Sequence, residues 1–401
     1  MTGPLHGVKV VACSIAQAGT VPYALMADLG AEVIKIEVPG TGDGSRRVPE
    51  KSEWPSSYFE TNNRGVKSLT LNLKTDEGKE VLYKLIEQAD AFGQNFRPGA
   101  AEKNGFGYED LKKINPKLVY VSISGYGPQG PHASLPATDA MAQALGGVTE
   151  VFSTPGQLMK TGIASVADET CAILAFGGML AGLYCAKMTG IGQKIDTSLL
   201  GGQVRLMGWT LTNSMWRDSN PITGRARITG SPRSAGISAT FNDRNGKPFV
   251  FQLAGAQWQR AMTALGFYDE LQQTGFGDLG VAVASEDERT AMLEKLDELF
   301  ATDVRERWVE TLREADIVSA PTNTMLEGSK DPDVLANGYV TEVEYPAFGK
   351  TLKVHGSPWQ FSETPPSIGI APTLGEHNME ILARLGYDET QIELLRANEV
   401  I

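Results

Sequence analysis

The sequence predicts an α/β protein: a large domain around a mostly parallel sheet, joined to a smaller α+β domain. Three observations predict it. Short apolar runs alternate with helical patterns through the first 200 residues, as crossovers between parallel strands require. From residue 236 the pattern changes to a hairpin followed by amphipathic helices. A strand pair and a helical tail then close the chain. The 401 residues suffice for two or three domains with a substantial core.

"GVKVVAC" (7–13) reads as a buried strand, Gly19 to Leu29 as a helix, and "AEVIKIE" (31–37) as a second strand. "PGTGDGSRR" (39–47) is a glycine-rich turn carrying two arginines. "SLTLNL" (68–73) is a strand, and "KTDEGKEVLYKLIEQAD" is an acid-started amphipathic helix. "AFGQNF" (91–96) and "LVYVSISGYG" (118–127) repeat the strand-then-loop pattern. A long apolar helix begins near Asp168 and stops at Gly190 and Gly192; "QKIDTSLL" leads to another helix over 201–216. Residues 217–235 are polar, basic and rich in Gly and Pro, which predicts a linker or exposed loop. The hairpin "ISATFNDRNGKPFVFQLA" turns at Asn245-Gly246, and helices follow near 256–266, 285–299 and 303–315. Strands near 339–345 and 351–355 precede the tail. The domains expected are 1–216, 225–325 and a segment 332–401 that returns to the first.

Composition excludes several classes. A net charge of −12 argues against general affinity for nucleic acid or anionic membrane. Three cysteines without short spacing form no disulfide framework or metal knuckle and fit a reducing cytoplasm. The N-terminus lacks the basic and apolar regions of a signal peptide. No uninterrupted apolar segment is expected to span a bilayer; 170–187 comes nearest and is broken by glycines. "SIAQAG" (14–19) fails the G-x-G-x-x-G fingerprint of nicotinamide enzymes, although Glu37 ends the second strand where a ribose-binding acid would sit. No Walker loop, G-x-S-x-G elbow or H-E-x-x-H is present, and the four histidines are scattered, so no metal site is expected. What remains is a carboxylate, some amides and some cations. Asp168 precedes a helix, where a carboxylate accepts orphan backbone N–H bonds. The same place suits a nucleophile: the helix start keeps it ionised, and nearby amides can steady an oxyanion. A carboxylate nucleophile needs an activated acyl donor such as a thioester.

The segment "PLHGVKVVACSIAQAGTVPYALMADLGAEVIKIEVPGTGDGSR" resembles the opening of the class III CoA-transferases, the group of formyl-CoA transferase and carnitine CoA-transferase. Further matches run in order: "SLTLNLKTDEGKEVLYKLIEQADAFGQNFRPGAAEKNGFGYEDLKKINPKLVYVSISGYGPQGP", "AMAQALGGV", "TGIASVADETCAILAFGGMLAGLYCAKMTGIGQKIDTSLL" and the C-terminal tail. The resemblance covers nearly the whole chain and is weakest over 217–300. It implies a Rossmann-like large domain built from both chain termini, a smaller α+β domain, and an interlocked dimer, with a heteromer of related chains as the variant. It also implies coenzyme A, carried as an acyl-CoA co-substrate, with no metal or redox cofactor. The family's catalytic aspartate falls on Asp168, and Gln17 matches a position beside the reacting carbonyl; read from the residues alone, Gln17 is a turn residue capping the next helix. Ala16, Leu71, Lys74, Asn95, Phe96, Arg97 and Lys103 match the CoA-binding surface, the cations toward phosphates and Phe96 and Leu71 toward adenine or the pantetheine arm.

Two departures bear on substrate. "TGSPRSAGISATF" (229–241) lacks the glycine run of the formyl-CoA enzymes, and Asp139 stands where those enzymes place a tyrosine. Both favour an acceptor bulkier than formate or oxalate: a branched, aromatic or dicarboxylic acid. The alternative within the superfamily, α-methylacyl-CoA racemase, resembles this chain less: it uses a histidine where Thr138 stands, so the partner base for proton transfer is missing.

Overall fold

The computed structural model describes residues 3–48, 55–153, 165–221, 228–229 and 236–401. The chain divides into two compact units: Met1–Val151, Met159–Pro221 and Ala336–Ile401 form the first, Phe152–Leu158 and Ile222–Leu335 the second.

The first unit is built on β1 (Lys9–Cys13), α1 (Ala16–Asp28), β2 (Glu32–Glu37), α2 (Ser57–Asn63), β3 (Lys67–Thr70), α3 (Asp76–Ile86), β4 (Ala91–Gln94), α4 (Ala100–Lys103), α5 (Tyr108–Ile114), β5 (Val119–Ser124), α6 (Asp139–Leu145), α7 (Val148–Val151), α8 (Val166–Thr189), β6 (Lys194–Ser198) and α9 (Leu199–Arg217). The six strands pair in parallel in the order β3-β2-β1-β4-β5-β6. That order reverses direction between β1 and β4, which leaves a crevice at the strands' carboxyl ends. Alternate strand residues feed two cores. Val10, Ala12, Val33, Ala91, Val119 and Val121 face α1 and α8. Val11, Ile34, Leu69, Phe92 and Tyr120 face the opposite side, where helices Asn378–Arg384 and Glu389–Ala397 contribute Ile381, Leu382, Ile392 and Leu395. Both faces are therefore covered, as the near-continuous apolar strands demand. An antiparallel pair, β11 (Val340–Tyr345) and β12 (Lys350–His355), also belongs to this unit.

The second unit holds an antiparallel sheet of β7 (Ile228–Thr229), β8 (Gly236–Asn242), β9 (Pro248–Ala254) and β10 (Val318–Pro321), ordered β10-β9-β8-β7. Its core stacks Phe241 on Phe251 and sets Phe249 edge-on to Phe300. The β8–β9 hairpin turns at Asn245-Gly246, with Gly246 at φ 73°. Most of the expected linker at 217–235 lies outside the described residues, as does part of the "TGSPRSAGISATF" stretch.

One expectation is corrected here. The stretch 166–189 is a single unbroken helix, long and apolar enough by length and composition to cross a membrane. Its glycines do not break it; they bring it close to the sheet. A Cβ on Gly182 would stand 2.7 Å from Val119 Cγ1, and one on Gly178 would stand 3.3 Å from Ile195 Cγ2.

Candidate active site

The site is built where two helix starts converge. α1 follows β1 directly and α8 leads into β6, a parallel strand of the same sheet, so both begin at the sheet's carboxyl edge, and the two helices pack on each other. α1 starts at Ala16, three residues before the expected Gly19, so Gln17 lies in its first turn rather than in the preceding loop. Ala16 holds φ 58°, a left-handed conformation that costs a non-glycine residue roughly 1–2 kcal/mol. Its surroundings enforce it. Asn95, just past β4, clamps the preceding residue at both ends: Ile15 N donates to Asn95 Oδ1 at 3.0 Å, and Asn95 Nδ2 donates to Ile15 O at 2.7 Å. Lys35 Nζ donates to Ser14 O at 2.9 Å. Strain held by so many partners is characteristic of functional positions. Ser165, three residues before Asp168, is a second non-glycine residue at positive φ, 51°.

Gln17 is buried, and its Nε2 donates to Glu169 Oε1 at 2.5 Å, joining α1 to α8 beside Asp168. The first turn of α8 is occupied from a distance. Asp139 Oδ1, at the start of α6, accepts from Ala167 N at 2.7 Å and from Asp168 N at 3.0 Å, while its Oδ2 accepts from Gln143 Nε2. Glu169 N donates to Ser165 O. These amides are spent, so the expectation that they serve an oxyanion on Asp168 is corrected. Nor does the helix start hold Asp168 strongly ionised. Burial, then the like charges of Asp139 and Glu169, push its carboxyl up to about 6. At pH 7 it is still ionised by about ten to one. Tyr58 on α2 completes the group: burial, then the Asp168 charge, raise its phenol, and the Gln17 backbone amide lowers it in part.

Glu37 is not a ligand-facing acid. It is buried, pairs with Arg46 through Nε at 2.9 Å and Nη2 at 2.7 Å, and accepts from Ser68 Oγ at 2.6 Å. Burial alone would raise its carboxyl, but the Arg46 and Ser68 hydrogen bonds hold it below the usual range.

The comparisons with known proteins agree on one family. The model of CoA-transferase family III matches residues 5–378. The chain belongs to CoA-transferase family III. It is 31% identical over 420 residues to the formyl-CoA:oxalate CoA-transferase of Escherichia coli O157:H7, with both chains fully covered. Among solved structures it is similar to a CAIB/BAIF family protein from Brucella suis, with TM-score 0.84, 27% identity, and 96% of this chain and 100% of that one covered. It is also similar to a protein of Mycobacterium tuberculosis described as hypothetical, with TM-score 0.77, 26% identity, and 95% and 99% covered. The chain is therefore a CoA-transferase, with coenzyme A as part of its substrate.

For a CoA-transferase the remaining named residues fall on one edge. Ala16, Leu71, Lys74, Asn95, Phe96 and Arg97 all follow the carboxyl ends of β1, β3 and β4, and Lys103 ends α4. Lys74, Arg97 and Lys103 are exposed, and Phe96 is 38% exposed with its ring 5.6 Å from Phe106. Leu71 is the exception and a correction. Its side chain is 2% exposed and packed in the core, so it offers no apolar surface to adenine or pantetheine. Asn95 is likewise committed, to the Ile15 backbone. Among the described residues no group of three or more His, Cys, Asp or Glu is placed to hold a metal. Sequence reading missed Tyr58 and gave Glu169 no role. α2 is only seven residues long, and its one signal was Ser56, which caps it by accepting from Phe59 N.

Proposed function

We propose that the chain moves CoA between carboxylic acids through covalent intermediates on Asp168. The observation that carries this is the pairing of a buried Gln17 amide with the residue next to Asp168, at the carboxyl edge of a parallel sheet. An Asp168 oxygen attacks the thioester carbonyl carbon, the C–S bond breaks, and the thiolate leaves with its electron pair. The product is a mixed anhydride. The thiolate then attacks Asp168 Cγ, expelling the donor carboxylate and leaving an aspartyl-CoA thioester. An acceptor carboxylate reverses both steps. Thioester energy is conserved because the CoA thiolate stays bound after each departure and is the next nucleophile, while the expelled donor carboxylate is replaced by the acceptor rather than by water. Gln17 donates its second amide N–H to the oxyanion formed at each attack. In this reading the exposed Arg97, Lys103 and Lys74 pair with CoA phosphates, and Phe96 packs on the nucleotide or the pantetheine arm.

The acceptor is proposed to be bulkier than formate or oxalate. The Asp139 and Glu169 charges weigh against a second carboxylate near Asp168, which favours a branched or aromatic monocarboxylic acid. Proton transfer of the racemase type is disfavoured by the histidines: His355 lies by Arg64, His377 faces Ser68 N, and His132 packs on Tyr126. A dimer, interlocked as in the family, is supported by apolar side chains left open on α8 and α9, including Tyr184, Met188, Trp209 and Trp216. Asp168→Ala tests the reading: transfer is lost while calorimetry shows acyl-CoA still binding, and normal turnover by this variant would refute it.

A further inference from the structure

We infer that Glu169 is a positioning residue, whose carboxylate fixes which way the Gln17 carboxamide faces. This rests on the reading of Asp168 as the acylated residue and Gln17 as the oxyanion donor. A glutamine amide is ambiguous on its own: it presents either its oxygen or its NH₂ group to a neighbour. Only the NH₂ orientation helps an oxyanion; the oxygen would repel it. An ionised carboxylate accepts hydrogen bonds and donates none, so it discriminates between the two orientations. Glu169 Oε1 accepts from Gln17 Nε2 at 2.5 Å, across 152 residues of sequence. That contact places the amide nitrogen on the α8 side, where Asp168 is the preceding residue, and leaves the second N–H for the reacting carbonyl. Gln17 is buried and its backbone sits beside the strained Ala16, so the side-chain torsions are the freedom left to settle. Holding them in advance removes reorganisation from the chemical step.

The charge of Glu169 has a separate consequence. Among the described residues, Asp139 on α6, Glu169 and the Cys171 thiol on α8, and the Tyr58 phenol on α2 are the titratable groups that act on Asp168 or respond to it. Removing the Glu169 charge moves the acid limb of the rate profile to lower pH whether or not the hydrogen bond survives. The limb thus reports charge, and the plateau rate reports the contact.

The test is a double-mutant cycle on the full-length enzyme with an accepted acyl-CoA. Glu169→Ala is expected to lower kcat by about 10- to 100-fold with KM for the acyl-CoA within about 3-fold, less than the roughly 100- to 1000-fold that loss of an oxyanion donor itself costs, because Gln17 is still present but no longer held. Glu169→Gln keeps an acceptor oxygen but can also turn its NH₂ group toward the Gln17 oxygen, so it is expected to recover kcat only in part, to a value between Glu169→Ala and wild type, with the same displaced acid limb as Glu169→Ala. Gln17→Ala combined with Glu169→Ala is expected to be no slower than Gln17→Ala alone, within about 2-fold. Additive losses in the double variant, or equal plateaus for Glu169→Ala and Glu169→Gln, overturn the proposal while leaving Asp168 as the nucleophile. Failure of the wild-type enzyme to form a hydroxylamine-sensitive adduct at Asp168 overturns the reading beneath it as well.

Discussion

Asp139→Asn separates the two things that Asp139 does. Its Oδ1 caps α8 through Ala167 N and Asp168 N, and an asparagine oxygen preserves both bonds. Only the negative charge is lost, and the Gln143 amide can turn to meet the new NH₂ group. The Asp168 carboxyl rises from 3.8 to about 6 through three causes of the same sign, burial first and Asp139 second. A second-ranked cause accounts for less than half of that rise of about two units, so the acid limb should move down by at most about one unit. The sign follows from the chemistry: the attacking form is the carboxylate, so activity falls as pH drops through the carboxyl's value. At pH 5 about a tenth of wild-type Asp168 is ionised, against up to about half in the variant. Relative to its own plateau, the variant should be up to about 5-fold more active there. The assay is kcat/KM for the acyl-CoA between about pH 4.5 and 8 at constant ionic strength, which reports groups of the free enzyme. A limb that stays near 6, or moves up, would refute the electrostatic account of this site.

Other outcomes follow from the same geometry. Asp168→Asn should stabilise the fold above pH 6 and not near pH 4. The folded-state carboxyl titrates above its unfolded value, so its ionised form carries a penalty that is absent at low pH and full above about 6; discounted for partial exposure, removal is worth roughly 1 kcal/mol, and equal melting shifts at both pH values would contradict this. Gly19→Ala puts a Cβ 2.4 Å from Asn95 Nδ2, so Asn95 must release Ile15; a loss of about 10-fold in kcat/KM is expected, and wild-type kinetics would show that the clamp is dispensable. Leu71→Ala should cost about 2–5 kcal/mol of stability and leave acyl-CoA affinity unchanged, while Arg97→Ala should weaken acyl-CoA binding about 10-fold at unchanged stability; denaturant melts and calorimetry distinguish the two.

The sheet was legible because its strands are buried on both faces, and runs such as "KVVAC" and "EVIKIE" can hardly be anything else. Short elements without such an apolar run are not legible. α2 presents only Ser56, and β10 is a four-residue strand ending in Pro321. The start of α1 was misplaced by three residues because Ala16 at positive φ breaks the local rule for a helix entry, and Asn95, some 80 residues away, maintains it. The resemblance puts Leu71 on the ligand surface, and nothing in the sequence corrects it, because a leucine after a strand looks the same whether it faces solvent or core. The same limit governs Asp168. Capping rules placed an acid at the helix start, yet the side chain that caps this helix is Asp139, on another helix. Long-range partners decide the electrostatics of the site, and sequence spacing does not reveal them.

The most direct test of the mechanism is mass spectrometry of the full-length enzyme after brief incubation with a panel of acyl-CoAs and quenching with hydroxylamine. The account predicts a hydroxamate on Asp168, formed only with accepted donors and absent in Asp168→Ala. Full CoA transfer with Asp168 unmodified under every donor, or an adduct on a different carboxylate, would contradict it.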